Sequence, residues 1–237
     1  MEAMLPTIQT LMTTELKALE AYLCTVLAGE GQWLHQLIEH LLKHPGKQLR
    51  SRLVLLAAGA SGGITAKTRR GAALVTLFHH ASLIHDDVVD EATHRRGTRS
   101  INALWNNKVA ILFGDYLLAK GLRIAVEHQD DDFLDIISST MQAMSKGELL
   151  QLEKARQLAI TEVEYLHIIQ QKTAQFIAAC CTIGALSANA SADQAAMLGK
   201  IGEHLGMAFQ IRDDLLDYNS TANLGKDTGI DIKERKI

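Results

Sequence analysis

"AALVTLFHHASLIHDDVVDEATHRRG", residues 72–97, is the stretch on which the reading of the fold turns. Apolar residues recur in it at helical spacing, with none of the strict alternation of a strand. The run ends in Asp86, Asp87 and Asp90, and then meets Arg95 and Arg96. Carboxylates at the C-terminal end of a helix face the negative pole of its dipole. Such acids are either a solvated helix end or the holders of something highly charged.

The same spacing extends in both directions. It predicts helices over 4–28, 31–44, 48–61, 65–91, 101–127, 131–157, 161–188 and 192–219. Breaks fall at "HPGKQ", "SGGIT", "RRGTRS" and "NASAD", where glycine, proline or small polar residues interrupt the apolar rhythm. Pro6 and Pro45 are the only prolines, so little opposes helix elsewhere. The expectation is an all-α fold, one large helical bundle over residues 1–237 as a single domain.

Composition narrows the classes. Apolar residues make up 47% of the 237 and charged residues 22%, a globular balance. A net charge of −3 gives no electrostatic reason to expect nucleic acid. Cys24, Cys180 and Cys181 form no CxxC, in keeping with a reducing, cytoplasmic setting. The start lacks the basic-then-apolar order of a signal peptide, and no uncharged apolar run reaches membrane-spanning length.

The DDxxD pattern recurs at Asp213, Asp214 and Asp217, again at the far end of an apolar helix. A further match at Asp131, Asp132 and Asp135 opens a helix after a polar break, where acids cap free N–H groups. That match reads as structural. In the other two, positions i and i+4 share a face with i+1 about 100° round, a spacing suited to divalent cations. Hard oxygen donors without a Cys or His cage suit Mg²⁺, which bridges readily to phosphate. His85 beside three carboxylates does not by itself indicate zinc.

Basic residues complete the pattern. Arg95 and Arg96 follow the first acidic group, and Lys47 and Arg50 lie in "HPGKQLRSRL". His79 stands two helical turns before Asp86 on the same face. Arginine's planar fork matches phosphate oxygens. Bases on two separate elements point to two polyanionic ligands.

With these residues in place, the chain resembles a trans-isoprenyl diphosphate synthase of the polyprenyl synthetase family, of the long-chain type. "GKQLRSRL" resembles the family's GKxxRP box, "LIHDDVVDEATHRRG" its first aspartate-rich motif and "GMAFQIRDDLLDY" its second. "GELLQL" at 147–152, "KTA" at 172–174 and "LGKDTGIDIKERKI" at 224–237 also match in order. Such enzymes join isopentenyl diphosphate head-to-tail onto an allylic diphosphate such as geranyl or farnesyl diphosphate. By this resemblance Asp86, Asp87, Asp90, Asp213 and Asp214 would bind about three Mg²⁺ ions, with Asp217 supporting them. Arg95 would touch the allylic diphosphate, while Lys47, Arg50, His79 and Arg96 would hold isopentenyl diphosphate. Lys172, Gln210 and Lys226 would assist the departing diphosphate, and Thr173 would line the reacting carbons.

The resemblance also implies a homodimer. Ala81 and Ser82, the small residues five and four positions before Asp86, imply a product longer than farnesyl diphosphate, one that membrane enzymes would take up. Trp105, Phe113 and Tyr116 are candidates for the tunnel floor, or simple core. Two departures stand out: Ser51 replaces the box's proline, and the sequence stops at "RKI", before the family's last C-terminal helices. The early stop keeps a non-catalytic or regulatory subunit of a heteromeric synthase in view. A terpene cyclase or head-to-head synthase fits less well, since paired bases on two elements imply a second diphosphate.

Overall fold

Apolar residues spaced for one buried helix face are the common feature of the helices that form. The computed structural model describes residues 4–29, 31–95, 97–157 and 160–218. In chain order the helices are α1 (Met4–Leu27), α2 (Gln32–Lys43), α3 (Leu49–Ser61), α4 (Ala66–Val89), α5 (Ile101–Leu104), α6 (Asn107–Glu127), α7 (Asp131–Gln157), α8 (Glu162–Ile169), α9 (Gln175–Ser187) and α10 (Ala192–Tyr218). A π-helical segment, Gln170–Ala174, joins α8 to α9. The described strands, β1 (His94–Arg95) and β2 (Thr98–Arg99), make one short antiparallel hairpin.

α4 is the central element. Every residue from Gly71 to Phe78 is buried, as expected of a helix covered on all sides. It packs against α3, α6 and α9. Phe113, Phe176, Leu74, Leu77 and Ile183 fill the space between these helices, joined by Phe133 of α7 beside Gly71, and all are nearly inaccessible. Burying each such side chain contributes about 1.5–3 kcal/mol. α4 begins with a capping box in which Thr65 and Thr68 satisfy each other's backbone N–H groups.

Glycines set how closely the later helices approach. A Cβ on Gly184 of α9 would lie 2.3 Å from the Val54 carbonyl of α3. One on Gly206 of α10 would lie 2.6 Å from Cα of Ala174 in the π segment. An alanine at Gly184 would therefore force α3 and α9 apart.

The helix expected over 101–127 is broken. Trp105 and Asn106 separate α5 from α6, and the Asn106 side chain accepts from Val109 N–H as a new N-cap. The single helix expected over 161–188 contains the π segment. The third acidic match is structural, as expected: Asp132 accepts from Phe133 N–H and from Lys67. Its neighbour Asp130 holds Arg70 at 2.6 and 2.9 Å. Among the described residues no helix is long and apolar enough to cross a membrane.

Candidate active site

α4 ends within the first acidic group, Asp90 being its C-cap, and its C-terminus is a tight turn. Ala92 N–H donates to the Asp87 carbonyl and Glu91 N–H to that of Val88, the double closure of a Schellman motif. Glu91 takes the left-handed conformation (φ 50°), where glycine is the usual occupant. Asn102 Nδ2 donates to the carbonyls of both Asp87 and Ala92, fixing the turn from α5. The chain then folds back in the hairpin, with Gly97 at φ 79°.

This turn brings Arg95 onto Asp87, with Nε and Nη2 each 2.6 Å from Oδ1. Asp87 is buried, and burial raises its pKa while Arg95 opposes the rise. Asp86, about 100° round the helix, looks elsewhere. Burial pushes its pKa up to about 6, helped by Glu148 of α7 and opposed by Lys172. Arg95's five N–H donors allow it to hold Asp87 and still meet an anion.

Lys172 lies in the π segment, its Nζ 2.6 Å from Glu148 Oε1 and 3.1 Å from Gln151 Oε1. Gly147 makes this approach possible, since a Cβ there would lie 2.9 Å from Gln171 Cβ and 3.2 Å from Lys172 N. The next residue, Thr173, turns the other way. Its hydroxyl donates to Gln210 Oε1 at 2.8 Å, and Gln210 Nε2 donates to Asp214 Oδ1 at 2.8 Å. Tyr165 of α8 donates to Asp214 Oδ2 at 2.6 Å. Adjacent residues of one segment therefore reach toward the first and second acidic motifs. A π turn holds one residue more than an α turn, and such turns are frequent at functional sites.

Of the four residues that the resemblance assigns to isopentenyl diphosphate, Arg50 and His79 meet. Arg50 of α3 meets His79 of α4 at 2.9 Å between Nη1 and Nε2, and its guanidinium lies 4.9 Å from the Phe176 ring centroid. Lys47 is exposed in the turn before α3. Ser51, at the position of the box's proline, is buried, with Oγ 2.8 Å from Thr76 Oγ1 of α4. Ala81 is buried, and the Ser82 hydroxyl is turned back onto the His79 carbonyl. Trp105 packs edge-on against His40, and Phe113 stacks with Tyr116.

Arg96, Lys226 and the 224–237 box lie outside the described residues, as does the side chain of Asp217. Among the described residues no three His, Cys, Asp or Glu side chains converge as a cation cage. The donors present are oxygens only, which fits Mg²⁺, an ion that needs one or two carboxylates and takes its other oxygens from phosphate and water.

Glu148, Gln151, Tyr165 and Phe176 escaped the sequence reading as functional residues. For Glu148 and Gln151 the available signal was "GELLQL" itself. Tyr165 and Phe176 carry none beyond their helical spacing from Lys172.

An all-helical bundle with acids near the ends of two long helices, and Lys172 and Thr173 of one π segment reaching toward them, defines a class that handles polyanionic ligands. Residues 31–237 match the polyprenyl synthetase family, and the chain belongs to that family. It is 35% identical over 227 residues to heptaprenyl diphosphate synthase component 2 of Geobacillus stearothermophilus, covering 95% of this chain and 71% of that protein. Among solved structures, a decaprenyl diphosphate synthase from Rhodobacter capsulatus superposes with a TM-score of 0.91 at 37% identity, covering 98% of this chain and 72% of that one. A polyprenyl synthase from Caulobacter crescentus, complexed with calcium and isoprenyl diphosphate, gives 0.89 at 33%, covering 96% and 70%.

Proposed function

We propose that the chain carries the catalytic machinery of a Mg²⁺-dependent head-to-tail prenyltransferase, condensing isopentenyl diphosphate with an allylic diphosphate. The observation that carries this reading is the π segment, with Lys172 reaching toward the first acidic motif and Thr173 toward the second.

Asp86 on α4 and Asp90 at its C-cap, with Asp213, Asp214 and Asp217 on α10, would hold the cations that bind the allylic diphosphate; Asp87 acts mainly by holding Arg95. Bound Mg²⁺ supplies Lewis-acid stabilisation of charge on the diphosphate oxygens. Lys172, Lys226 and Arg95 add positive charge where the departing diphosphate gains its negative charge. Lys47, Arg50, His79 and Arg96 would hold the isopentenyl diphosphate. The allylic C–O bond breaks, the double bond of isopentenyl diphosphate attacks the allylic carbon, and a proton leaves the adjoining carbon. Released pyrophosphate is a sufficient base for that proton, so no dedicated side chain is required.

The small Ala81 and Ser82 favour products longer than C15, and the heptaprenyl and decaprenyl names of the relatives agree. We place the protein in the cytoplasm as a homodimer. A second reading, a subunit of a heteromeric synthase, is favoured by the "component 2" of the Geobacillus relative's name.

Product analysis by mass spectrometry decides between them. Protein given Mg²⁺, isopentenyl diphosphate and farnesyl diphosphate should yield a ladder of five-carbon additions that vanishes in Asp86→Asn and Asp213→Asn. A folded protein that makes no product until a partner chain is added supports the second reading.

A further inference from the structure

We infer that Tyr165 is a positioning residue for the second acidic motif, its phenol orienting Asp214 toward a divalent cation bound with diphosphate. This inference rests on the metal-dependent reading above and extends it to a residue outside the acidic and basic motifs.

Asp213 and Asp214 are adjacent, yet the structure treats them differently. Asp213 is exposed, whereas Asp214 is held at both oxygens, by Tyr165 at 2.6 Å and by Gln210 at 2.8 Å. A phenol–carboxylate contact of that length belongs to the stronger, charge-assisted hydrogen bonds. Two fixed donors on opposite oxygens set the plane of the carboxylate, and each oxygen keeps a lone pair for a cation. Carboxylate ligands in metal sites are commonly oriented by such outer partners.

The scaffold behind the phenol is rigid and shared with Lys172. Thr161 and Glu164 form a capping box at the start of α8, and Lys154 of α7 holds Glu164 at 2.6 Å. α8 then runs directly into the π segment. One helix therefore sets both Lys172 and the phenol that orients Asp214, fixing the lysine and the second motif in register.

The test is Mn²⁺ binding in the presence of inorganic pyrophosphate, measured by calorimetry on the full chain, its Tyr165→Phe variant and its Asp214→Asn variant. Phenylalanine keeps the ring and removes only the donor. Loss of an outer-shell partner is expected to weaken cation binding about 10- to 100-fold. The Mg²⁺ concentration for half-maximal turnover should rise with it, while KM for isopentenyl diphosphate stays unchanged. If Tyr165→Phe binds like the parent while Asp214→Asn does not, Tyr165 is only a staple between α8 and α10, and the metal reading survives. If KM for isopentenyl diphosphate rises in proportion, the effect is general damage and the inference falls. If the parent itself binds no Mn²⁺ with pyrophosphate, the metal reading fails and takes the inference with it.

Discussion

The Lys172 ammonium lies 2.6 Å from Glu148 Oε1, so a lysine proposed to assist the leaving diphosphate is already held by an acid of α7. An incoming diphosphate must draw this lysine away or share it. Lys172→Ala should lower kcat by about 10²–10³-fold, the usual cost of losing one preorganised charge stabiliser. Glu148→Gln should cost about 10-fold, because it removes one charge-assisted bond while Gln151 still holds the lysine. Steady-state kinetics of both variants checks the ordering.

Asp86 makes the site costly to the fold. Its pKa, pushed up to about 6 by burial first and Glu148 second, lies above its unfolded value of 3.8. The folded state thus binds this proton more tightly, and ionised Asp86 weakens folding. The penalty is full above about 6 and fades as pH falls from there toward 3.8. Asp86→Asn should therefore raise the stability of the ligand-free protein at pH 7 by up to about 3 kcal/mol, while abolishing synthesis. The gap between the two melting curves should narrow at pH 4.

Gly147 and Gly59 should respond oppositely to alanine. At Gly147 the new methyl would press on Gln171 Cβ and on the backbone N of Lys172. The cost should be about 1–3 kcal/mol, with a fall in kcat as Lys172 shifts. At Gly59, on exposed helix, a Cβ would meet nothing within 4 Å, and alanine should stabilise by about 0.5–1 kcal/mol. Denaturant melts of the two variants make the comparison.

Product length should respond to bulk one turn before Asp86. Ser82→Phe is expected to shorten the ladder toward C15 with initial condensation intact. Ala81→Phe should do the same at greater cost in stability, about 1–3 kcal/mol, because Ala81 is buried in the packed core. Mass spectrometry of the products reads both; an unchanged ladder would remove these positions from length control.

The helices were legible because burial of one face leaves a 3.6-residue rhythm, and α4, α7 and α10 lie within a few residues of their expected bounds. The break at Trp105–Asn106 was missed because neither glycine nor proline marks it; only the capping role of Asn106 does. The hairpin after α4 was read as a plain break, its strands of two residues each being too short to show alternation. Within the site, the acids stood out as charges ending apolar runs, Lys47 and Arg50 as a basic group, and His79 by its spacing from Asp86. Tyr165 did not, because a tyrosine near the start of an amphipathic helix looks like ordinary packing until Asp214 is placed beside it. The split between Asp86 and Asp87 is a matter of neighbours: Arg95 claims one, and the other faces α7.

The π segment ties the site to the length of the chain between α8 and α9. Deleting any one residue from Gln170 to Ala174 would let α8 and α9 join as unbroken α-helix. Because a π turn holds one residue more than an α turn, α9 would keep its place relative to α8 while the residues between them shifted by one position. Lys172 and Thr173 could then no longer serve opposite motifs. At this point the number of residues matters as much as their identity: a gap that repaired the helix would dismantle the site.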